Sequence, residues 1–187
     1  MKMNLPNKLT ILRVIMVPFF VFFMLADLGI PGQKYIALAI FAIASLTDTA
    51  DGFIARKYNL ITNFGKFMDP LADKLLVCSA LICFVDLHRM PTWIVLVIIA
   101  REFIISGFRL VASDQGIVLA ASWWGKSKTI CQMITVLVLI AAFPGKPFAV
   151  IEQILIYASL LLTVISLMDY LIKNASVLTE KENGEKK

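Results

Sequence analysis

Six apolar runs, each long enough to cross a bilayer, take up most of this 187-residue chain. They cover residues 9–28, 35–55, 69–87, 93–111, 125–143 and 148–172. A membrane span needs about 20 predominantly apolar residues, so six of them with short connections leave no room for a separate soluble domain. Composition agrees: 59% of residues are apolar, 17% charged, and mean hydropathy is +0.83, where soluble domains run near ~45–50% apolar and ~25% charged. The pattern predicts an all-α integral membrane protein of six transmembrane helices over residues 1–178. The charged stretch 179–187 is expected to be a disordered cytoplasmic tail.

Pro31-Gly32, Met90-Pro91 and Pro144-Gly145 punctuate the runs, as expected for turns at span ends. An even number of spans puts both termini on one side. Lys2, Lys8, Arg13, Arg56, Lys57, Lys66, Arg109, Lys126, Lys128, Lys173, Lys181, Lys186 and Lys187 then share a face with the termini, whereas the opposite face receives only Lys34, Arg89 and Lys146. The positive-inside rule makes the richer face cytoplasmic. Asn7 and Arg13 read as interface markers at the start of the first span, which is long enough to read as uncleaved. Asp114, Glu152 and Asp169 read as facing water or headgroups, and Trp123 and Trp124 as interfacial anchors. Cys78, Cys83 and Cys131 all sit inside apolar runs, so they read as buried hydrophobes with no disulfide or zinc framework. The net charge of +5 comes without a basic-aromatic face, which argues against nucleic acid and for an anionic membrane surface or a phosphorylated substrate.

Ionisable residues interrupt the spans: Asp48 and Asp51, Asp69 and Asp73, Arg101 and Glu102. An intramembrane charge is costly and is by default functional. Spacings of three and four residues put each aspartate pair on one helix face. A short polar link from Lys57 to Lys66 makes the two helices antiparallel neighbours, with Asp69 and Asp73 expected in the first two turns of the second. Four clustered carboxylates raise one another's pKa, and two divalent cations would neutralise them. Oxygen ligands of this kind suit Mg²⁺ or Mn²⁺, and the single histidine, His88, falls on the other side. Gly52 and Ala55 keep the helix surface beyond the acids open, and Gly65 relieves crowding before Asp69.

The run Asp48-x-x-Asp51-Gly52-x-x-Ala55-Arg56, eight residues, then Gly65-x-x-x-Asp69-x-x-x-Asp73 resembles the signature of the CDP-alcohol phosphotransferase family at every fixed position. Asn4-Leu-Pro-Asn-Lys-Leu-Thr-Ile-Leu-Arg13, Asp69-Pro-Leu-Ala-Asp-Lys74, Arg101-Glu-Phe-Ile-Ile-Ser-Gly-Phe-Arg109 and Gly125-Lys-Ser-Lys-Thr129 are similar to the bacterial branch that makes phosphatidylglycerophosphate. The resemblance implies that family's six-helix fold, a homodimer in the bacterial cell membrane and a site facing the cytoplasm. It implies CDP-diacylglycerol as donor, sn-glycerol 3-phosphate as acceptor, and phosphatidylglycerophosphate and CMP as products. Asp48, Asp51 and Asp69 are then metal ligands, and Asp73 the general base that also touches a metal. Gly52, Ala55 and Arg56 hold the donor's nucleotide, with Gly65 beside them.

The acceptor's phosphate needs cations as well. The branch resemblance points to Arg101, Arg109, Lys126 and Lys128, with Lys66 a further member, and the N-terminus of the fifth helix also favours an anion. Arg101 and Glu102 are open to a second reading as a structural ion pair, and Lys126 and Lys128 as topology determinants. The signature alone also fits a cardiolipin synthase or phosphatidylinositol-phosphate synthase type of the same family. A cation transporter is the remote alternative, disfavoured because the acids cluster at one membrane depth.

Overall fold

A computed structural model describes the backbone over residues 4–57, 63–114 and 122–174, and the side chains there apart from 48–57, 63–67, 69, 70, 113 and 114. The regular structure of these residues is helical: α1 (Leu5–Leu25), α2 (Gln33–Lys57), α3 (Asn63–Asp86), α4 (Thr92–Asp114), α5 (Trp123–Ala141) and α6 (Lys146–Lys173). Each apolar run falls largely within one helix, and the ends are set by local chemistry. Pro6 in the first turn of α1 costs no hydrogen bond. Ala26 leaves the helix with φ −69° and ψ 132°, and Gly29 (φ 63°) and Gly32 (φ 80°) carry the chain through the turn into α2. The expectation that Asp69 and Asp73 open the third helix is corrected: α3 begins six residues before Asp69, at Asn63. Asn63, Gly65 and Lys66 interrupt the apolar pattern there, but they do not stop the backbone from being helical.

Burial is inverted relative to a soluble globule. Large apolar side chains such as Leu46, Leu96, Leu110, Ile154, Leu161 and Ile172 are exposed, while Thr10, Arg13, Arg101, Lys128, Gln132, Thr163 and Ser166 are buried. A soluble monomer rarely exposes so many large apolar side chains, and such a distribution suits lipid as solvent. α1 and α6 are long and apolar enough to cross a membrane, each with hydropathy 2.1. The chain is a membrane protein.

Two compact units make up the chain. The first holds residues 1–91 and 136–145, so it contains α1, α2, α3 and the end of α5. Here α1 packs on α2 and α3, and α2 packs on α3. Ala37, Ala44, Ala72 and Ala80 are buried; small residues let the helix backbones approach closely. The Phe20 and Phe41 rings meet with centroids 5.5 Å apart. At the loop end of this unit Gln33 ties the α1–α2 turn, accepting from Leu28 N at 3.1 Å and donating to the Phe23 and Ala26 carbonyls. Lys34 donates to the Ala142 carbonyl at 2.8 Å and Arg89 to that of Leu139, so two cations satisfy carbonyls at the negative end of α5.

The second unit, residues 92–135 and 146–187, contains α4, the start of α5, and α6. α4 packs on α6, with Phe108 edge-on to Tyr170 at 6.0 Å. Thr135 on α5 donates to the Cys131 carbonyl at 2.8 Å and reaches the Leu155 carbonyl of α6 at 3.3 Å. All three cysteines are free thiols.

Candidate active site

The eight signature residues divide between two packed helices of the first unit: Asp48, Asp51, Gly52, Ala55 and Arg56 on α2, and Gly65, Asp69 and Asp73 on α3. Of these, the side chain of Asp73 is described and is half-buried, flanked along α3 by the buried Ala72 and Leu76. The side chains of Asp48, Asp51, Ala55, Arg56, Asp69 and Lys66, and the surroundings of Gly52 and Gly65, lie outside the described residues. Among the described residues no three His, Cys, Asp or Glu side chains gather into a cluster.

Helix register supplies what those side chains do not. A seven-residue link joins α1 to α2, and two helices that pack together across so short a link run antiparallel. Phe20 lies against Phe41. Moving seven residues from each ring toward the opposite end, at the same rise per residue, brings Arg13 level with Asp48; ten residues brings Thr10 level with Asp51. Arg13 is 0% exposed, and Asn7 and Thr10 are also buried. Asn7 and Arg13, read from the sequence as interface markers, are thus buried in the helix packing as well. Their three-residue spacing puts Asn7, Thr10 and Arg13 on the face of α1 turned into the helix packing. Thr10 closes its hydroxyl onto the Pro6 carbonyl at 3.1 Å.

Four cationic candidates, Arg101, Arg109, Lys126 and Lys128, fall in the second unit and Lys66 in the first, and the fold brings two of the four together. Arg101 on α4 donates from Nη1 to Glu102 Oε1 at 2.9 Å and from Nε to Ser166 Oγ of α6 at 3.0 Å. Lys128 on α5 donates to the same Glu102 oxygen. Arg101 is 7% and Lys128 2% exposed. The third guanidinium corner, Nη2, has no hydrogen-bond partner among the described residues. It lies beside Gly125, where an added Cβ would sit 3.5 Å from it. That glycine is in the first turn of α5, whose start Ser122 caps by accepting the Gly125 N–H at 3.1 Å. A guanidinium edge thus lies beside the first turn of α5, and the Glu102 carboxylate links that guanidinium to the buried Lys128 ammonium.

Arg109 and Lys126 stand apart from this pair. Arg109, about 12 Å further along α4, is exposed and lies over the Tyr170 ring at 5.9 Å from its centroid. Lys126 is exposed on α5, as are Trp123 and Trp124. Asp169, expected to face water, is instead mostly buried and paired with Lys173 at 2.6 Å, one turn along α6. Sequence reasoning missed Ser166, which carries no signal beyond a hydroxyl in an apolar run.

The family model described as CDP-alcohol phosphatidyltransferase matches residues 3–165. The chain belongs to that family. Every signature residue and every cationic candidate of this CDP-alcohol phosphatidyltransferase lies inside the matched span. Relatives named CDP-diacylglycerol–glycerol-3-phosphate 3-phosphatidyltransferase include one from Bacillus subtilis, 43% identical over 94% of this chain and 97% of its own length. Another, from Haemophilus influenzae, is 40% identical over 91% and 93%. A Mycobacterium tuberculosis relative named as a probable phosphatidylglycerophosphate synthase is 40% identical over 91% of this chain and 81% of its own.

Proposed function

We propose that this chain transfers the phosphatidyl group from CDP-diacylglycerol to sn-glycerol 3-phosphate, giving phosphatidylglycerophosphate and CMP in phospholipid biosynthesis. The observation that carries the reading is the near-complete overlap with relatives bearing that name, which extends the likeness well beyond the 26-residue signature (residues 48–73).

Four aspartates on two packed helices, with neither imidazole nor thiolate among them, form a donor set that fits hard divalent cations. Asp48, Asp51, Asp69 and Asp73 would hold two of them, Mg²⁺ or Mn²⁺. When bound, such ions supply charge neutralisation for the donor pyrophosphate and its departing CMP. Asp73 takes the proton from the acceptor hydroxyl. The freed oxygen lone pair forms the new bond to the lipid-bearing phosphorus, and the phosphoanhydride electrons leave with CMP. Gly52, Ala55, Arg56 and Gly65 receive the cytidine nucleotide. Arg101 and Lys128 take the acceptor's phosphate, with Arg109, Lys126 and Lys66 adding positive charge on its approach.

We place six spans across a bacterial cell membrane, residues 1–178 forming one catalytic domain with both termini cytoplasmic, and assign the protein a homodimeric state. A site at the cytoplasmic rim lets a lipid donor and a water-soluble acceptor meet.

The test uses purified protein in detergent with CDP-diacylglycerol and Mg²⁺ or Mn²⁺, offered glycerol 3-phosphate, inositol phosphate, serine and phosphatidylglycerol separately. CMP release is expected with glycerol 3-phosphate. Asp73→Asn should cut it by about 10²–10⁴-fold, the usual contribution of a positioned base, with thermal unfolding unchanged. Release with a different acceptor alone, or release indifferent to Asp73→Asn, overturns the reading.

A further inference from the structure

Two buried cations from different helices share one oxygen of one carboxylate in the second unit. Arg101 Nη1 lies 2.9 Å from Glu102 Oε1, Lys128 donates to the same atom, and Ser166 fixes the guanidinium from the other side at 3.0 Å. Like charges held this close repel, and the Glu102 carboxylate, bonded to both, offsets that repulsion. Lys128 is 2% exposed, so its ammonium is held in place by protein groups, Glu102 among them. The carboxylate is the more exposed partner, at 19%, so the cations are walled in and the acid sits at the edge of the cluster. Arg101 is thereby held at two of its three guanidinium corners, which fixes the ring plane and directs Nη2 to the start of α5 beside Gly125.

From this geometry we infer that Glu102 is a positioning residue for the acceptor's phosphate: it holds Arg101 and Lys128 in place and oriented before the acceptor arrives, with Ser166 as its auxiliary. The inference rests on the reading that Arg101 and Lys128 receive that phosphate. It decides between the two readings of the Arg101-Glu102 pair that the sequence leaves open. A structural ion pair would stabilise the fold without preference for either substrate. A positioning residue acts through the cations it holds, so its loss is felt in the use of the phosphorylated acceptor and not in the use of the lipid donor. The cations are already ordered, so little conformational freedom is lost when the phosphate binds.

The test measures CMP release by the detergent-purified protein over a grid of glycerol 3-phosphate and CDP-diacylglycerol concentrations. Glu102→Gln keeps size and removes charge. It is expected to raise the KM for glycerol 3-phosphate about tenfold or more, the scale of a lost hydrogen bond to a charged group, while kcat and the KM for CDP-diacylglycerol stay within about twofold. Glu102→Asp, which restores the charge, is expected to recover most of the loss. In a double-mutant cycle with Lys128→Gln the two effects on the acceptor KM should fall well short of multiplying, because one acts through the other. An acceptor KM unmoved by Glu102→Gln, equal rises in both KM values, or full multiplication in the cycle overturns the inference. Should Glu102→Gln fail to fold, Ser166→Ala serves instead, since it loosens Arg101 without stranding a charge. A selective rise of about two- to fivefold in the acceptor KM supports the inference, and no rise overturns it. The wild-type protein separates the two levels: no turnover of glycerol 3-phosphate at all sinks the functional reading, whereas turnover with the wrong variant pattern sinks only the role of Glu102.

Discussion

α1 and α6 have the same hydropathy, 2.1, and both present large apolar side chains to lipid, yet their buried stripes differ. The stripe of α1 runs through Pro6, Asn7, Thr10, Arg13, Val17 and Phe20 and contains a cation. That of α6 runs through Ile156, Ser159, Thr163, Ser166 and Tyr170 and contains only neutral groups. Two of its hydroxyls close on their own helix, Thr163 onto the Ser159 carbonyl at 2.7 Å and Ser166 onto that of Thr163 at 3.2 Å. α1 therefore brings its own charge to the helices it packs against, while α6 offers neutral acceptors and small volume to charges carried by α4 and α5. The exposed side sets hydropathy in both helices and conceals that α1 carries a fully buried cation, while Asp169 of α6 lies near the helix end paired with Lys173.

Replacing Arg13 is the strongest way to break that comparison. A fully buried guanidinium persists only through polar or charged partners, and removing one member of such an arrangement costs about 3–5 kcal/mol. Arg13→Met should therefore lower the thermal unfolding temperature in detergent markedly and abolish CMP release. A variant that unfolds at the wild-type temperature would make α1 an apolar anchor no different in kind from α6. Thr163→Val is the counterpart on α6. It keeps volume and removes a hydroxyl already bonded within its own helix, so it should cost about 1 kcal/mol or less. A loss comparable to that of Arg13→Met would show that the polar groups of the α6 stripe hold the fold together as strongly as those of α1.

The helices were legible in the sequence because each apolar run is long and bounded by Pro, Gly or charge, and the acids were legible because a carboxylate in a span stands out against its neighbours. The start of α3 was not, since Asn63, Gly65 and Lys66 break the apolar pattern ahead of Asp69, and helix formation does not require an unbroken one. Nor was the burial of Arg13: three-residue spacing says that Asn7, Thr10 and Arg13 share a face, but only packing on α2 and α3 says where that face points. Arg101 and Lys128 were selected for their charge. Their convergence on a single oxygen of Glu102 depends on two helices, α4 and α5, meeting, and periodicity within one helix carries no trace of it. Ser166 was silent because a hydroxyl in an apolar helix ordinarily bonds its own backbone, as this one also does.

Tyr170 offers the smallest and sharpest contrast. It is buried on α6, its ring lies edge-on to Phe108 and beneath the Arg109 guanidinium, and its hydroxyl has no hydrogen-bond partner among the described residues. An unsatisfied buried hydroxyl is a cost to the fold, about 1–3 kcal/mol when fully desolvated, whereas the ring contacts are favourable. Tyr170→Phe keeps the ring and removes the orphan group, so the sign should be opposite to that of Arg13→Met: unfolding temperature equal to or slightly above wild type. Measuring it with and without saturating glycerol 3-phosphate adds a second reading. If the variant matches wild type alone but is stabilised less by the acceptor, the hydroxyl has its partner in the bound state, and α6 then contributes to the site more than packing volume and the Ser166 acceptor.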